Sequence, residues 1–254
     1  MNENETRQTW IYGIVPASAS LKELERRDRL PEVSLVETGD LAAIIGEKPE
    51  DDARATRDQA LAHARVLEAA IVDAPVVPMR FGTIVEGGDE EVGGELLEAH
   101  QDEFSELLKR FENHVQMTLK VSYREDAVLR EILDSEPEAA QLREQSRKGP
   151  ESATRDAKVQ LGELISTALE QRRERDSADI LERLKPVSVS AVADPIESEF
   201  MAMNMPFLVE RDQVEKFEDA VEEVAGERQA RMEFVLRGPM PVFSFLEMEE
   251  PAWA

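Results

Sequence analysis

Cysteine is absent from this 254-residue chain, which excludes disulfides, thiolate nucleophiles and zinc–thiolate centres. Histidine is nearly absent. His63, His100 and His114 are the three, and no two have the i,i+4 spacing of a helical metal clamp. His100 stands near Glu98 and Asp102, but a chain with 55 acidic residues produces such neighbours by composition alone. Aromatic residues make up 5%, so the cores must be built from Leu, Val, Ile, Ala and Met. No apolar run approaches the ~18–20 residues that span a bilayer. The polar start, MNENETRQ, lacks the basic and apolar regions of a signal peptide, so a soluble, cytoplasmic protein is expected. Neither a GxGxxG loop, a GKT loop nor a GxSxG elbow occurs. The glycine-rich EGGDEEVGGELL (86–97) is flooded with carboxylates that would repel phosphate, and reads as a flexible turn entering a helix.

What is present in abundance is negative charge. Fifty-five Asp and Glu against 30 Lys and Arg give a net charge of −25. A surplus of that size argues against nucleic acid and anionic membrane as partners, because both reward cations. Basic residues are skewed to 22 Arg over 8 Lys. Acid pairs stand on almost every helix surface, so no catalytic pair can be singled out. Neither a catalytic residue nor a cofactor or metal is expected.

Hydrophobic periodicity organises the chain. TWIYGIVP (9–16) is a strand buried on both faces, and SASLKELERRDRL (18–30) a helix capped by Ser18 or Ser20. Two apolar runs around Gly39-Asp40 give a hairpin. Residues 51–72 form a helix with Leu61, Ala64, Val66, Leu67, Ala70 and Ile71 on one face, and VVPMRFGTIV (76–85) reads as a buried hairpin. The order is β-α-β-β-α-β. Residues 92–111 are again helical. HVQMTLKVSY (114–123) alternates, with one face buried and the other wet.

Residues 125–185 form charged helices broken at Gly149-Pro150, with Pro150 at a first helical position and a solvated end. PVSVSAVA (186–193) and FMAMNMPFLV (200–209) are strands, residues 211–225 a helix, and RMEFVLRG (231–238) a last strand. The expected fold is α+β, with two ferredoxin-like (βαββαβ) domains. The first covers residues 1–111 with its connecting helix. The second covers 112–254, carrying the enlarged helical segment 125–185 and an apolar tail.

Arg80 poses a problem inside VVPMRFGTIV, because a guanidinium keeps its proton and burial without a partner is costly. It either pairs with a carboxylate or sits at the rim of a partner surface, beside Phe81. Met201, Met203 and Met205 alternate along a strand, as core filling or as a soft contact surface. In the tail, Pro239 and Pro241 force an extended path. Phe243 and Phe245 then make it apolar, either packing on the second domain or docking another chain. The candidate partner-binding residues are therefore Arg80, Phe81, Met203, Met205, Pro239, Pro241, Phe243 and Phe245.

WIYGIVPA at the start, VVPMRFGTIV, LKVSY at 119–123, NMPFLVERDQVEKFEDAVEEV at 204–224 and LRGPMPVFSFL at 236–246 occur in one order. Together they resemble the gas vesicle protein family GvpF/GvpL. The sequence departs from the family pattern at Val77, where Leu is usual, and at Met240, Val242 and Phe243 in the closing motif. The resemblance implies two modified ferredoxin-like domains and a non-enzymatic accessory protein of gas vesicle formation. Such a protein is a minor vesicle component that binds the hydrophobic main shell protein GvpA, restrains its aggregation during nucleation and contacts other accessory Gvp proteins. Two alternatives stand beside it: a small-molecule-binding regulatory or enzymatic module at the junction of two ferredoxin-like domains, and an acidic scaffold whose 125–185 helices form a coiled coil.

Overall fold

In the computed structural model, residues 8–20, 22, 24, 30–47, 56–147 and 150–246 are described. The expected helix over 18–30 lies largely outside them. The chain forms two compact units. One holds residues up to Gln116 together with everything from Pro239 on, and the other holds Met117–Gly238. The first unit thus extends past the expected boundary at 111, and it also claims the tail.

The first unit is built around β1 (Gln8–Pro16), whose central residues are all buried. Beside it lie β3 (Leu41–Glu47) and then β2 (Val33–Thr38), both pairings antiparallel. Thr38 faces Leu41 across the Gly39-Asp40 turn, where Gly39 has φ 59°, so the expected hairpin is present. On its other edge β1 pairs with β4 (Val77–Pro78) and β5 (Ile84–Glu86). These two short strands follow one another along β1 and do not pair as a hairpin. The expectation from VVPMRFGTIV is corrected in that respect. The reason is Gly82, at φ 94°, which throws a turn out of one continuous edge segment.

Helix α1 (Arg57–Asp73) starts at a capping box. Thr56 Oγ1 accepts the Gln59 N–H, and Gln59 Oε1 accepts the Thr56 N–H. It buries Val66, Leu67, Ala70 and Ile71. A Cβ at Gly13 would come within 2.9 Å of Leu67 and Val76, so only glycine lets helix and strand approach this closely. Leu61, expected on the buried face, is 43% exposed, and His63 is buried there instead. The opposite face of the sheet carries Ile11, Ile14, Ala43 and Ile45. It packs against Val92, Leu96, Leu97, Phe104 and Leu108. Those residues come from a π-helical stretch (Val92–Glu98), marked by the Ala99 N–H reaching the Gly94 carbonyl, and from α2 (Gln101–Arg110). The glycine-rich stretch is therefore largely helix rather than turn.

The second unit orders its strands β7 (Ser190–Ala191), β8 (Met201–Glu210), β6 (His114–Tyr123) and β9 (Met232–Met240). In chain order this reads second, third, first, fourth, the same as β2-β3-β1-β4 in the first unit. Pro239 lies on β9, an edge strand, where a missing N–H costs no ladder bond. Helices α3 (Glu125–Ser135), α4 (Pro137–Gln145) and the 34-residue α5 (Glu151–Leu184) fill the first connection. Pro150 caps α5 from outside rather than standing at its first position. Helix α6 (Val214–Arg228) buries Phe217, Val221 and Val224, with Phe217 against Phe207 at 5.1 Å between ring centroids.

Two expectations hold only in part here. Gln116 and Thr118 are buried, so β6 has no wet face at its start; Gln116 is engaged by the Ser244 N–H and by Met240. The charged end of α5 is solvated only in part: Glu174, Arg175, Asp179 and Glu182 are exposed, but the opposite face is not. Ile180 and Leu184 are fully buried, and Arg172 is buried with its guanidinium on the Ala168 carbonyl, Ser135 and Glu131.

Candidate partner-binding surface

Arg80 occupies the first position of the turn Arg80-Phe81-Gly82-Thr83. The turn closes through the Thr83 N–H to the Arg80 carbonyl at 3.0 Å, and the Thr83 hydroxyl donates to that same oxygen at 2.7 Å. Gly82, third in the turn, takes the positive φ that a type II geometry requires. On either side the chain returns to β1. The Met79 N–H bonds the Tyr12 carbonyl at 2.9 Å, and the Ile11 N–H bonds the Thr83 carbonyl at 3.0 Å. Met79 is fully buried and anchors the turn in the core. Met79, Gly82 and Thr83 thus each have a distinct physical task, and Arg80 carries the exposed side chain of the turn. It is exposed, and among the described residues its guanidinium has no carboxylate partner.

Behind the turn lies a polar–aromatic cluster that motif reading passed over. Trp10 donates its indole N–H to His63 Nδ1 at 3.1 Å. Because indole is only a donor, Nδ1 is an acceptor and the ring proton sits on Nε2, which donates to the Met79 carbonyl at 3.1 Å. Burial holds the His63 pKa below its ordinary value, against the opposing pull of the Met79 carbonyl. Tyr12 stacks on His63 at 5.1 Å, and Phe81 meets Trp10 edge-on at 5.1 Å and His63 at 5.6 Å. His63 therefore fixes the backbone atom that launches the turn, and Phe81 rests half-buried on the rings. Helical phase was the usable signal, since His63 precedes Val66, Leu67 and Ala70 by three, four and seven residues.

The other candidates fall in different settings. Met203 is 1% exposed and fills the core of the second unit, whereas Met205 on the same strand is half-buried. Pro239 is exposed, Pro241 buried. Phe243 is half-buried and Phe245 buried in a short helix, α7 (Phe243–Leu246), where an extended docking strand was one expectation. Leu246 packs on the core of the first unit, not on the second domain. Chemically, the buried members pack, and Arg80 with Phe81 presents a cation beside an aromatic face.

No group of three or more His, Cys, Asp or Glu among the described residues is arranged to hold a metal. No helix among them is long and apolar enough to cross a membrane.

Comparisons place this architecture among known proteins. The family model described as gas vesicle synthesis protein GvpL/GvpF matches residues 8–247. Gas vesicle protein F of Streptomyces sp. (strain CB03234) is 33% identical over 244 residues, covering 94% of this chain and 99% of that protein. Gas vesicle protein F of Nostoc sp. (strain PCC 7120) is 23% identical over 221 residues, covering 85% and 88%. The crystal structure of GvpF from Anabaena sp. PCC7120 superposes with a TM-score of 0.75 at 21% identity, covering 94% of this chain and 98% of that one. That of GvpF from Microcystis aeruginosa gives 0.73 at 17% identity, covering 94% and 99%.

Proposed function

The chain belongs to the GvpL/GvpF family of gas vesicle synthesis proteins, and from that premise we propose that it is an accessory assembly factor that binds the hydrophobic shell protein GvpA. In this reading it acts at the gas vesicle and in the cytoplasm that surrounds it, contacts other accessory Gvp proteins, and transforms no substrate. The family is named for vesicle synthesis and not for an enzymatic reaction. The observation that carries the reading is the Arg80–Thr83 turn, a rigidly mounted, outward-facing cation and aromatic with no catalytic neighbour described beside it.

The physics of such a task is simple. A shell subunit outside its shell exposes apolar surface, and exposed apolar surface aggregates. A binder with net charge −25 lends the complex repulsion and therefore solubility. Phe81 supplies half-buried apolar contact beside Arg80, which supplies a directional one. In the tail Phe243 is half-buried, with Pro241 and Phe245 buried near it, and in the second unit Met205 is half-buried on the strand that buries Met203. The shared strand order of the two units supports reading each as a ferredoxin-like variant, with α3 to α5 enlarging the second.

The test is a light-scattering assay of GvpA aggregation with and without the purified chain, joined to co-purification. Suppressed aggregation, weakened in Arg80→Ala with an unchanged melting temperature, is the expected result. A chain that neither binds GvpA nor slows its aggregation ends the proposal.

A further inference from the structure

We propose that the seam between α4 and α5 is a docking groove for a cationic amphipathic helix of a protein partner. The seam holds an open groove of about 420 Å³. Its floor is apolar, made by Leu142, Leu164 and Ala168, while Glu136, Glu138 and Glu163 stand in its walls. The lining contains three carboxylates and no Lys or Arg. The proposal concerns the second unit alone and does not depend on where GvpA binds.

Two further observations give the occupant its character. Apolar residues of α5 are buried at Ala157, Ala168 and Leu169 but less covered between them. Leu161, Leu164 and Ile165 are half-buried, and Val159 is 56% exposed, among the described residues. Of these, Leu164 lines the groove, and a partly uncovered apolar residue beside carboxylates marks a contact surface. The length also fits a helix. Lining residues on α5 run from Gln160 to Gln171, which is about 16 Å, or three turns, at a rise of ~1.5 Å per residue. An occupant helix would place a short apolar stripe on Leu142, Leu164 and Ala168 and set Lys or Arg on either side against the three glutamates. A second copy of this chain is disfavoured, because it brings the same −25.

The experiment is fluorescence anisotropy of the full chain with a labelled three-to-four-turn Leu/Lys amphipathic peptide, alongside its Leu/Glu counterpart and a scrambled Leu/Lys sequence. The double variant Glu138→Lys/Glu163→Lys alters exposed residues, and Glu218→Lys/Glu222→Lys makes the same charge change on exposed α6 positions. Binding of the Leu/Lys peptide that falls about tenfold in the first double variant, and less than about twofold in the second, supports the proposal. Leu164→Asp, checked for an unchanged melting temperature, should give a comparable loss. Equal losses in both double variants, equal binding of the scrambled peptide, or no binding at all would overturn it. So would self-association that Leu164→Asp abolishes, since that assigns the groove to a second copy.

Discussion

The two units order their strands alike but are held together differently. The first relies on apolar contact. Thirteen buried side chains from Ile11 to Leu108 form one cluster, and the buried imidazole of His63 is kept neutral between two hydrogen-bond partners. The second relies in part on charge. Asp176, half-buried on α5, accepts two parallel bonds from Arg231 at 2.9 Å each and a third from the Tyr123 hydroxyl at 2.7 Å. Arg231 also lies 3.2 Å from Glu131, and Arg172 reaches Glu131 at 3.4 Å. Burial, followed by the bond to Asp176, holds the Tyr123 phenol well above its ordinary range. One topology thus tolerates two kinds of adhesive, and the long α5 helix is what demands the second. A helix rich in Arg and Glu can lie on a sheet only where its charges find fixed partners.

That contrast can be broken most forcefully at Phe104, which is fully buried. Phe104→Ala should cost about 3–5 kcal/mol. Hydrogen exchange should show the loss in the first unit, while β6 and β8 amides stay protected; equal loss of protection in both would mean that the units unfold as one. Asp176→Ala, the counterpart in the second unit, strands Arg231 and the Tyr123 hydroxyl. Partial solvent access limits the cost to about 2 kcal/mol, measurable by denaturant melting. Tyr123→Phe removes a single bond of that network, at about 1 kcal/mol.

Gly82→Ala should also cost about 1 kcal/mol. A Cβ there meets nothing within 4 Å, so the penalty is backbone strain at φ 94° and nothing else. His63 adds a pH signature. Because its folded pKa is depressed, folded and unfolded forms are equally neutral above pH ~6.5, and stability is complete there. As the pH falls below that value the unfolded chain gains the proton first, and stability drops toward the folded pKa. Protonation of Nδ1 would also displace the Trp10 bond. His63→Gln should flatten this acid slope in thermal melts; an unchanged slope would assign it to carboxylates. Smallest for stability is Arg80→Ala, at under about 0.5 kcal/mol, which separates its role at the surface from any role in the fold.

Legibility in the sequence followed the same division. The first unit was readable where apolar runs are bounded by clear turn signals, as in β1 and the β2–β3 hairpin. The phase error at Leu61 arose because a histidine was not counted as a core residue. The Arg80 puzzle was visible but not soluble, since the answer lies in a single glycine dihedral that turns the chain out of its ladder. The end of α5 was misread in part because Arg172 and Asp176 look solvated until their partners arrive, and those partners stand 41 and 55 residues distant in the chain. Periodicity reports which face is apolar; it does not report that Asp176 and Arg231 will meet.

The return of Pro239–Leu246 to the first unit has a consequence for synthesis. The second unit is one uninterrupted length of chain, whereas the first is assembled from two stretches that flank it. On the ribosome, Met117–Gly238 can therefore mature while the earlier-made half is still waiting for Leu246 to seal it. A nick or deletion in these last residues would wound the part of the molecule that was made first.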